Sequence, residues 1–258
     1  MLSIAVRDIF EESRGLFGSD KILSILQDQG YKTSKKMVLR LMRELGLRSL
    51  RSTAKKDYKT WAKLHTTKNI LQQEFNVKEP NCAWVSDCTQ FKLFNKTYHI
   101  CAILDLYSRK VIAHRISQRA STQLVTSTFK LAIKDRQPIS ELVFHSDRGC
   151  QYTSNAFRNL LIQHNVNQSF SKAGNPYDNG VMESFFSSLK QEEIYRTSYS
   201  SEKDFKQKVG KYMEFYNSSR PHRANNYKTP DQVEQLYLEK KMNRCPNETG
   251  SKVDPDSI

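Results

Sequence analysis

Three acidic residues occupy positions where a carboxylate could do chemistry: inside an apolar strand, at a strand end and on one face of a helix. Asp87 sits inside the apolar segment CAWVSDCTQF, where strand alternation places it on one face with Val85. Asp147 directly follows the apolar segment ELVFHS, at the carboxyl end of a predicted strand, where α/β folds commonly place site residues. Glu183 lies early in a predicted helix, and at about 100° per residue it shares a face with Lys190, away from the apolar stripe.

Acids that converge from different elements suit phosphodiester chemistry with two metal ions. Mg²⁺ prefers hard oxygen ligands, and two ions about 3.5–4 Å apart can stabilise both the attacking and the leaving oxygen. Each acid also has an ordinary interpretation: Asp87 as an edge-strand or satisfied core residue, Asp147 as a turn residue, and Glu183 as a solvated helix residue. Asp105, in AILDLYSRK, is a further carboxylate in a strand, and we rank it below the other three.

The elements that must position these acids follow a recognisable order. Residues 83–94, 97–106 and 110–117 predict three strands that can form an antiparallel meander. A helix at 121–134, the strand ELVFHS, a helix at 154–164, the short strand VNQSFS and a long helix at 179–194 follow. This order matches an α/β fold of the ribonuclease-H-like class. Asp178 and Asn179 are expected to form the turn and N-cap before the last helix.

The N-terminal segment predicts three helices. The first covers residues 3–15, and Ser19 is expected to cap the second, which ends at Gly30. Thr33 or Ser34 is expected to cap the third, KKMVLRLMREL, which ends at Gly46. The third helix has an apolar side and a basic side, and their members are Met37, Val38, Leu41, Met42 and Leu45 on the first and Lys36, Arg40 and Arg43 on the second.

This layout is typical of a helix-turn-helix, although an ordinary helical hairpin with a solvated charged face is the alternative. The charge distribution favours DNA contact. The 258-residue chain has a net charge of +14, and residues 1–75 carry fifteen basic and eight acidic residues. The stretch RSTAKKDYKTWAKLHTTK predicts a basic linker. An excess of this size indicates a polyanionic partner, with nucleic acid ahead of an anionic membrane surface.

Composition excludes several other classes. With 38% hydrophobic residues the chain can build a packed core, which argues against a disordered or fibrous protein. No apolar run is long enough for a membrane span, and the N-terminus lacks a signal pattern, so we expect a cytoplasmic, nucleoid-associated protein. The five cysteines form no C-x-x-C pair, so zinc is not expected.

Three sequence segments, each containing one of the acids, resemble those of a known protein family. The segments WVSDCTQF, FHSDRGCQYTS and SKAGNPYDNGVMESFFSSLKQE closely resemble the three acidic blocks of bacterial insertion-sequence transposases with a DDE integrase-type core. Thirty-five residues separate Asp147 from Glu183, as in the DD(35)E class that includes retroviral integrases, and Lys190 matches the basic residue of that class. YNSSRPHRANNYKTP resembles the block after the core, and the N-terminal helices resemble the start of the second reading frame. The resemblance covers about residues 5–235.

The resemblance implies Asp87, Asp147 and Glu183 as catalytic metal ligands for two Mg²⁺ or Mn²⁺ ions. It implies cleavage at the element's end by water, followed by attack of the freed 3′-hydroxyl on a second phosphodiester, without a covalent protein–DNA intermediate. We expect further DNA contacts or positioning roles from a set of residues around the acids: Lys190, Arg148, His145 and Asn179. The expected partners are double-stranded DNA at the element ends and target, further copies of the chain in at least a dimer, and a first-frame partner or fusion.

We therefore predict a ribonuclease-H-like (integrase core) α/β domain preceded by a small all-α helix-turn-helix-like domain. The predicted ranges are a helical DNA-binding segment (1–50), a basic linker (51–80), the DDE core (81–195), a C-terminal helical extension (196–242) and a disordered tail (243–258). A non-catalytic DNA-binding regulator, or a shortened product of the element, is the rival. A ribonuclease acting on RNA–DNA hybrids fits the fold but not the block PYDNGVMESF.

Overall fold

The computed structural model describes residues 1–49, 77–138, 141–171 and 179–244. Residues 51–76 of the predicted linker and 245–258 of the predicted tail lie outside the described residues, as does Asp178. The helices are α1 (Leu2–Glu12), α2 (Ser19–Asp28), α3 (Lys35–Glu44), α4 (Thr122–Arg136), α5 (Cys150–Thr153), α6 (Asn155–Gln163), α7 (Gly180–Leu189), α8 (Glu202–Ser218) and α9 (Pro230–Arg244). The strands are β1 (Ala83–Leu93), β2 (Lys96–Asp105), β3 (Val111–Ser117), β4 (Leu142–Ser146) and β5 (Val166–Phe170).

The first three helices form a small domain with its own buried core. The Oγ of Ser34 accepts a hydrogen bond from the backbone N–H of Met37, so Ser34 caps α3 as predicted. Gly30 and Gly46 follow α2 and α3 in the left-handed conformation, with φ of +85° and +66°, which favours glycine at a helix end.

Two details of these helices differ from the sequence prediction. The N-cap of α2 is Gly18, and Ser19 is already helical without a capping bond. Met37, predicted on the apolar side of α3, is 42% exposed. Val38 and Met42 are the residues of α3 that are fully enclosed, because a helix in a domain this small buries only a narrow stripe.

The central sheet has five strands in the order β3-β2-β1-β4-β5. The first three pair antiparallel as the predicted meander, and β4 and β5 join in parallel to β1 and to each other. Parallel strands require crossover connections, and helices α4 to α6 supply them. This is the predicted ribonuclease-H-like arrangement, and it places the carboxyl end of β4 beside the middle of β1.

Helices cover both faces of the sheet, which explains why β1 is apolar at successive positions. Trp84 and Val85 are both fully buried, and they point to opposite faces. Trp84 packs with Phe129, Phe144 and Phe157 on the side of α4 and α6. Val85 belongs to the second cluster, on the side of α7 and α8. Within the described residues, no helix is both long enough and apolar enough to cross a membrane.

The C-terminal helices are tied to the core by side chains. The side chain of Asn217 accepts from the N–H of Val111 and donates to its carbonyl, both at 2.9 Å, which fastens α8 to edge strand β3. Phe205 and Val209 of α8 are buried in the same cluster as Val85. The boundaries assigned to the individual domains stay predictions.

The helical domain also contacts the core directly. The ring of Phe17 stacks on that of Phe215 in α8, with centroids 6.2 Å apart. Arg14 donates to the carboxylate of Glu193 at 3.2 Å. These contacts place the three N-terminal helices against the side of the molecule that carries α7 and α8.

Candidate active site

The parallel pairing of β1 and β4 places two acids side by side. Val85 lies opposite His145, and Ser86 lies opposite Ser146. β4 ends at Ser146, so the next residues along the two strands are Asp87 and Asp147. Two carboxylates from segments sixty residues apart in sequence therefore leave neighbouring strands at the same level of the sheet.

The third acid comes from the helix that packs on this sheet. Met182, Phe185 and Leu189 of α7 are buried in the cluster that contains Val85. Burial of this stripe fixes the rotation of α7 and leaves Glu183 on an exposed part of the helix surface. Beyond Leu189 the helix continues as a π-helical turn, residues Lys190–Ile194.

The electrostatics of Asp87 show that these groups share one neighbourhood. Burial, followed by the negative charge of Asp147, raises the pKa of Asp87 from 3.8 to about 7. The charge of Glu183 raises it further, while the N–H of Cys88, which donates to Asp87 Oδ1 at 2.7 Å, and the cation of Lys190 lower it. A partly buried carboxylate that repels two others is a place where a bound cation is strongly favoured.

The donor set fits a hard divalent cation, since all three side chains offer carboxylate oxygens. In the part of the chain that the structure describes, no three His, Cys, Asp or Glu side chains converge closely enough to hold one ion. The acids thus form an electrostatically linked group rather than a closed cage. Mg²⁺ commonly binds through one or two carboxylates together with waters and phosphate oxygens, which agrees with such an open arrangement.

The loop after Asp147 is held by its own carboxylate. The N–H of Gly149 donates to Asp147 Oδ1 at 3.0 Å. A Cβ on Gly149 would lie 3.1 Å from that oxygen and 2.9 Å from Oε1 of Gln151, so a side chain there would disturb the turn. Arg148 donates through Nε to the carbonyl of Ser171 at 3.3 Å, which links this loop to the end of β5.

Comparisons with known proteins divide the chain in the same way as the fold. Integrase core domain models match residues 77–176 and 164–230, and an HTH-like domain model matches residues 2–55. The transposase for insertion sequence element IS904 of Lactococcus lactis subsp. lactis (strain IL1403) is 33% identical over 236 residues, which cover 91% of this chain and 93% of that protein. The chain belongs to the insertion-sequence transposases with an integrase-type core.

Two further proteins resemble this transposase. Transposase InsF for insertion sequence IS3A of Escherichia coli (strain K12) is 32% identical over 232 residues, which cover 89% of this chain and 80% of that protein. The cryo-electron microscopy structure of a simian T-cell lymphotropic virus intasome in complex with PP2A regulatory subunit B56 gamma has a TM-score of 0.53 at 14% identity. The match covers 98% of this chain and 80% of that one, and it shows a shared fold.

Of the residues expected to contact or position DNA near the acids, His145 is the most enclosed. Its ring is fully buried, with Nδ1 2.9 Å from Ser169 Oγ and Nε2 3.2 Å from Ser171 Oγ. Both ring nitrogens are engaged by hydroxyls at the end of β5. In the transposase His145 therefore joins β4 to the end of β5, and a role in contacting or positioning DNA stays a prediction.

The other residues predicted to contact DNA differ in how exposed they are. Asn179 stands at the N-cap position of α7 but is buried, and its Oδ1 has no hydrogen-bond partner among the described residues. Lys190 is half-buried, and Lys36 and Arg43 of α3 are exposed. Arg40 is also exposed and donates to Glu44 at 2.8 Å. That these side chains contact DNA stays a prediction.

Asp105 is not part of the acidic group. It is fully buried and accepts hydrogen bonds from the N–H groups of Asn81 at 2.7 Å and Tyr107 at 2.8 Å. Arg136 donates to it at 3.3 Å. Asp105 pairs with Trp84, three residues before Asp87, so it lies at the start of β1 rather than at the acidic group.

Sequence reasoning missed two features beside the site. The hydroxyl of Tyr152 in α5 lies 2.8 Å from Oγ of Ser86, the residue before Asp87. This hydrogen bond links α5 to β1 next to the acid. Arg220 forms a buried bidentate pair with Glu192, with both N–O distances 2.7 Å. The sequence signal for the second feature was Glu192, an acid that continues the apolar stripe of Phe185 and Leu189 in the predicted helix.

Proposed function

We propose that the transposase cuts and joins the ends of its own insertion sequence with Asp87, Asp147 and Glu183 as ligands of two Mg²⁺ or Mn²⁺ ions. The observation that carries this proposal is the parallel pairing of β1 with β4, which sets Asp87 and Asp147 on neighbouring strands at one level of the sheet. The charges of Asp147 and Glu183 both raise the pKa of Asp87, which supports a shared neighbourhood for the three acids. The likeness to insertion-sequence transposases over most of the chain supports the reaction class.

The ions would neutralise the carboxylates and supply Lewis-acid stabilisation of the attacking and leaving oxygens. The chain's own groups do the rest. Asp87 and Asp147 are fixed by strand pairing, which preorganises two ligands before DNA arrives. Lys190 provides an ammonium group near Asp87, which can donate a hydrogen bond to a phosphate oxygen of the DNA.

In the proposed sequence, water first attacks the phosphodiester at the element's end and frees a 3′-hydroxyl. That hydroxyl then attacks a phosphodiester of the target, and the bond to the former 3′-oxygen breaks as the new one forms. Because the nucleophiles are water and a DNA hydroxyl, no covalent protein–DNA intermediate is needed. Joining two ends calls for at least two copies of the chain, with or without a first-frame partner.

The carboxylate assignment is tested by strand transfer with end-bearing DNA and Mg²⁺. Asp87→Asn, Asp147→Asn and Glu183→Gln should each reduce strand transfer at least about 100-fold, since each removes a metal ligand. Asp135→Asn is the matched control, because Asp135 is an exposed acid of α4. Undiminished activity in Asp147→Asn or Glu183→Gln, with unchanged melting temperature, would overturn the assignment.

The role of α3 is tested by end binding at several salt concentrations. Lys36→Ala and Arg43→Ala are each expected to weaken binding and to reduce the slope of log affinity against log salt concentration by about 1, because each removes one phosphate contact. Lys134→Ala removes an exposed base of α4 and serves as the control. If the control and the two α3 variants behave alike, α3 is not the DNA-binding face.

A further inference from the structure

A cleft of about 920 Å³ separates the helical domain from the core. Its wall on the helical side comes from residues 16–21 and Ser49, and its wall on the core side comes from α7 and from residues 216–227. Arg109, in the turn between β2 and β3, closes one side. The cleft is therefore built from three parts of the chain, and none of the three predicted acids lines it.

Arg109 has an unusual environment for a guanidinium. Its Nη1 is buried and has no hydrogen-bond partner among the described residues. Burial lowers the pKa of Arg109, while the nearby Asp105 and Tyr216 counter this. Asp105 already accepts from two backbone N–H groups and from Arg136, so its oxygens are committed elsewhere. A buried N–H donor without an acceptor is costly unless a ligand or ion supplies one.

The remaining charges of the cleft also favour an anion. Arg220 is neutralised by Glu192, and Asp20 is paired with Lys35 at 2.7 Å. Lys21 lies over the ring of Phe17 at 5.0 Å, and the exposed Arg223 adds positive charge to the cleft wall. The cleft thus offers cations to an anion, and the buried Nη1 of Arg109 lacks an acceptor among the described residues.

The cleft runs along the helix that carries Glu183. Gly180, Val181, Ser184 and Ser188 of α7 line it. Ser184 is the neighbour of Glu183, about 100° further round the helix, so one face of α7 serves the acidic group and the adjacent face serves the cleft. A strand of DNA that reaches the acids can therefore place another of its phosphates in the cleft.

We propose that this cleft binds a backbone phosphate of the DNA, with the guanidinium of Arg109 as its principal ligand and the Ser184 hydroxyl as a further donor. The inference rests on the proposed DNA-processing function, but it concerns binding and not chemistry. It makes the junction of the helical domain with the core a second anchoring point, apart from both α3 and the acidic group.

The proposal is tested by titrating end-bearing duplex DNA in EDTA. Arg109→Gln is expected to weaken binding about tenfold and to lower the log–log salt slope by about 1, because one phosphate contact is lost. Arg109→Lys should recover part of the affinity, and Lys134→Gln should leave it unchanged. Asp147→Asn with Arg109→Gln should lose the same factor in affinity relative to Asp147→Asn alone, so failure of the catalytic assignment would leave this result intact.

A second measurement separates ligand binding from a structural role. Because no described residue accepts a hydrogen bond from the buried Nη1 of Arg109, Arg109→Gln should melt at or above the wild-type temperature without DNA, while DNA should raise its melting temperature less. A lower melting temperature of the free variant, or unchanged affinity and salt slope, would overturn the proposal. The proposal would also be overturned if inorganic phosphate raised the melting temperature of the wild type but not of Arg109→Gln while the two proteins bound DNA equally well.

Discussion

Asp87 is the side chain on which the charges of the site act most strongly. In the metal-free protein its pKa is about 7 rather than 3.8, because burial and the charge of Asp147 both disfavour its ionised form. A divalent cation bound between Asp87 and Asp147 would offset the repulsion by the Asp147 charge. Protonation of Asp87 and metal binding are therefore alternatives, and metal affinity should fall as the pH drops below about 7.

A stability measurement tests this at the residue scale. Between pH 3.8 and about 7 the folded protein holds a proton on Asp87 that the unfolded chain has released, so the free energy of unfolding falls as the pH rises through this window. Asp87→Asn cannot ionise and escapes the loss. In EDTA its free energy of unfolding relative to wild type should increase by on the order of 2 kcal/mol from pH 5 to pH 8.

Chemical denaturation of both proteins at the two pH values provides the measurement, and Asp135→Asn provides the control. An advantage for Asp87→Asn that is the same at pH 5 and pH 8 would show that Asp87 ionises normally. Adding Mg²⁺ at pH 8 should then stabilise the wild type more than the variant, since only the wild type keeps the full set of carboxylates.

The positions of some site residues could be predicted from the sequence, and those of others could not. Asp147 could be placed because an acid right after an apolar strand occupies a strand end in any α/β fold. Asp105 could be ranked below Asp87 but not excluded by pattern, because both are acids inside apolar strands. The pairing of β1 with β2 and β4 decides between them, since it puts Asp87 beside Asp147 and Asp105 beside Trp84. The burial of His145 depends on hydroxyls of β5, more than twenty residues away in sequence.

At the scale of elements, α7 and its π-helical turn connect the acidic group to the C-terminal helices. The sequence predicts one helix over residues 179–194, and its extent is right. The change to π geometry at Lys190 is not visible in the pattern, yet Glu192 and Glu193 are both buried within this turn. A π-turn often lies at a functional site, and here it directly follows the helix of Glu183.

The pair of Arg220 with Glu192 should hold this turn. Arg220→Met leaves the Glu192 carboxylate buried with the hydroxyl of Tyr212 at 2.9 Å as its remaining bond, so we expect a loss of about 3–5 kcal/mol in the free energy of unfolding. The double variant Arg220→Met/Glu192→Leu should be less destabilised than Arg220→Met, because no unpaired charge remains.

Urea denaturation measures both effects, with Arg158→Met as a control on the exposed surface of α6, expected to change stability by less than about 0.5 kcal/mol. A double variant that is as unstable as the sum of its parts would indicate that each side chain packs independently. The paired charge would then contribute nothing specific to the turn.

The whole molecule joins a DNA-binding domain to a catalytic core through a small number of contacts. The net charge of +14 predicts a polyanionic partner but does not locate it. Exposed bases of α3 and cations of the cleft are two of the places where that charge lies. Composition could not predict that residues 14 and 17 would meet α8 and the π-turn, because docking surfaces depend on three-dimensional packing of remote segments.

This docking leads to a prediction for the assembled protein. Phe215 packs against the cores of both domains and stacks on Phe17, so Phe215→Ala should loosen the helical domain without removing any DNA ligand. End binding should stay within about threefold of wild type, whereas strand transfer should fall about tenfold, because the bound DNA is no longer held in fixed geometry against the acids. Ile162→Ala, at a side chain that is 70% exposed on α6, is the matched control. Equal losses in binding and strand transfer would mean that Phe215 supports the fold of α3 itself rather than the alignment of the two domains.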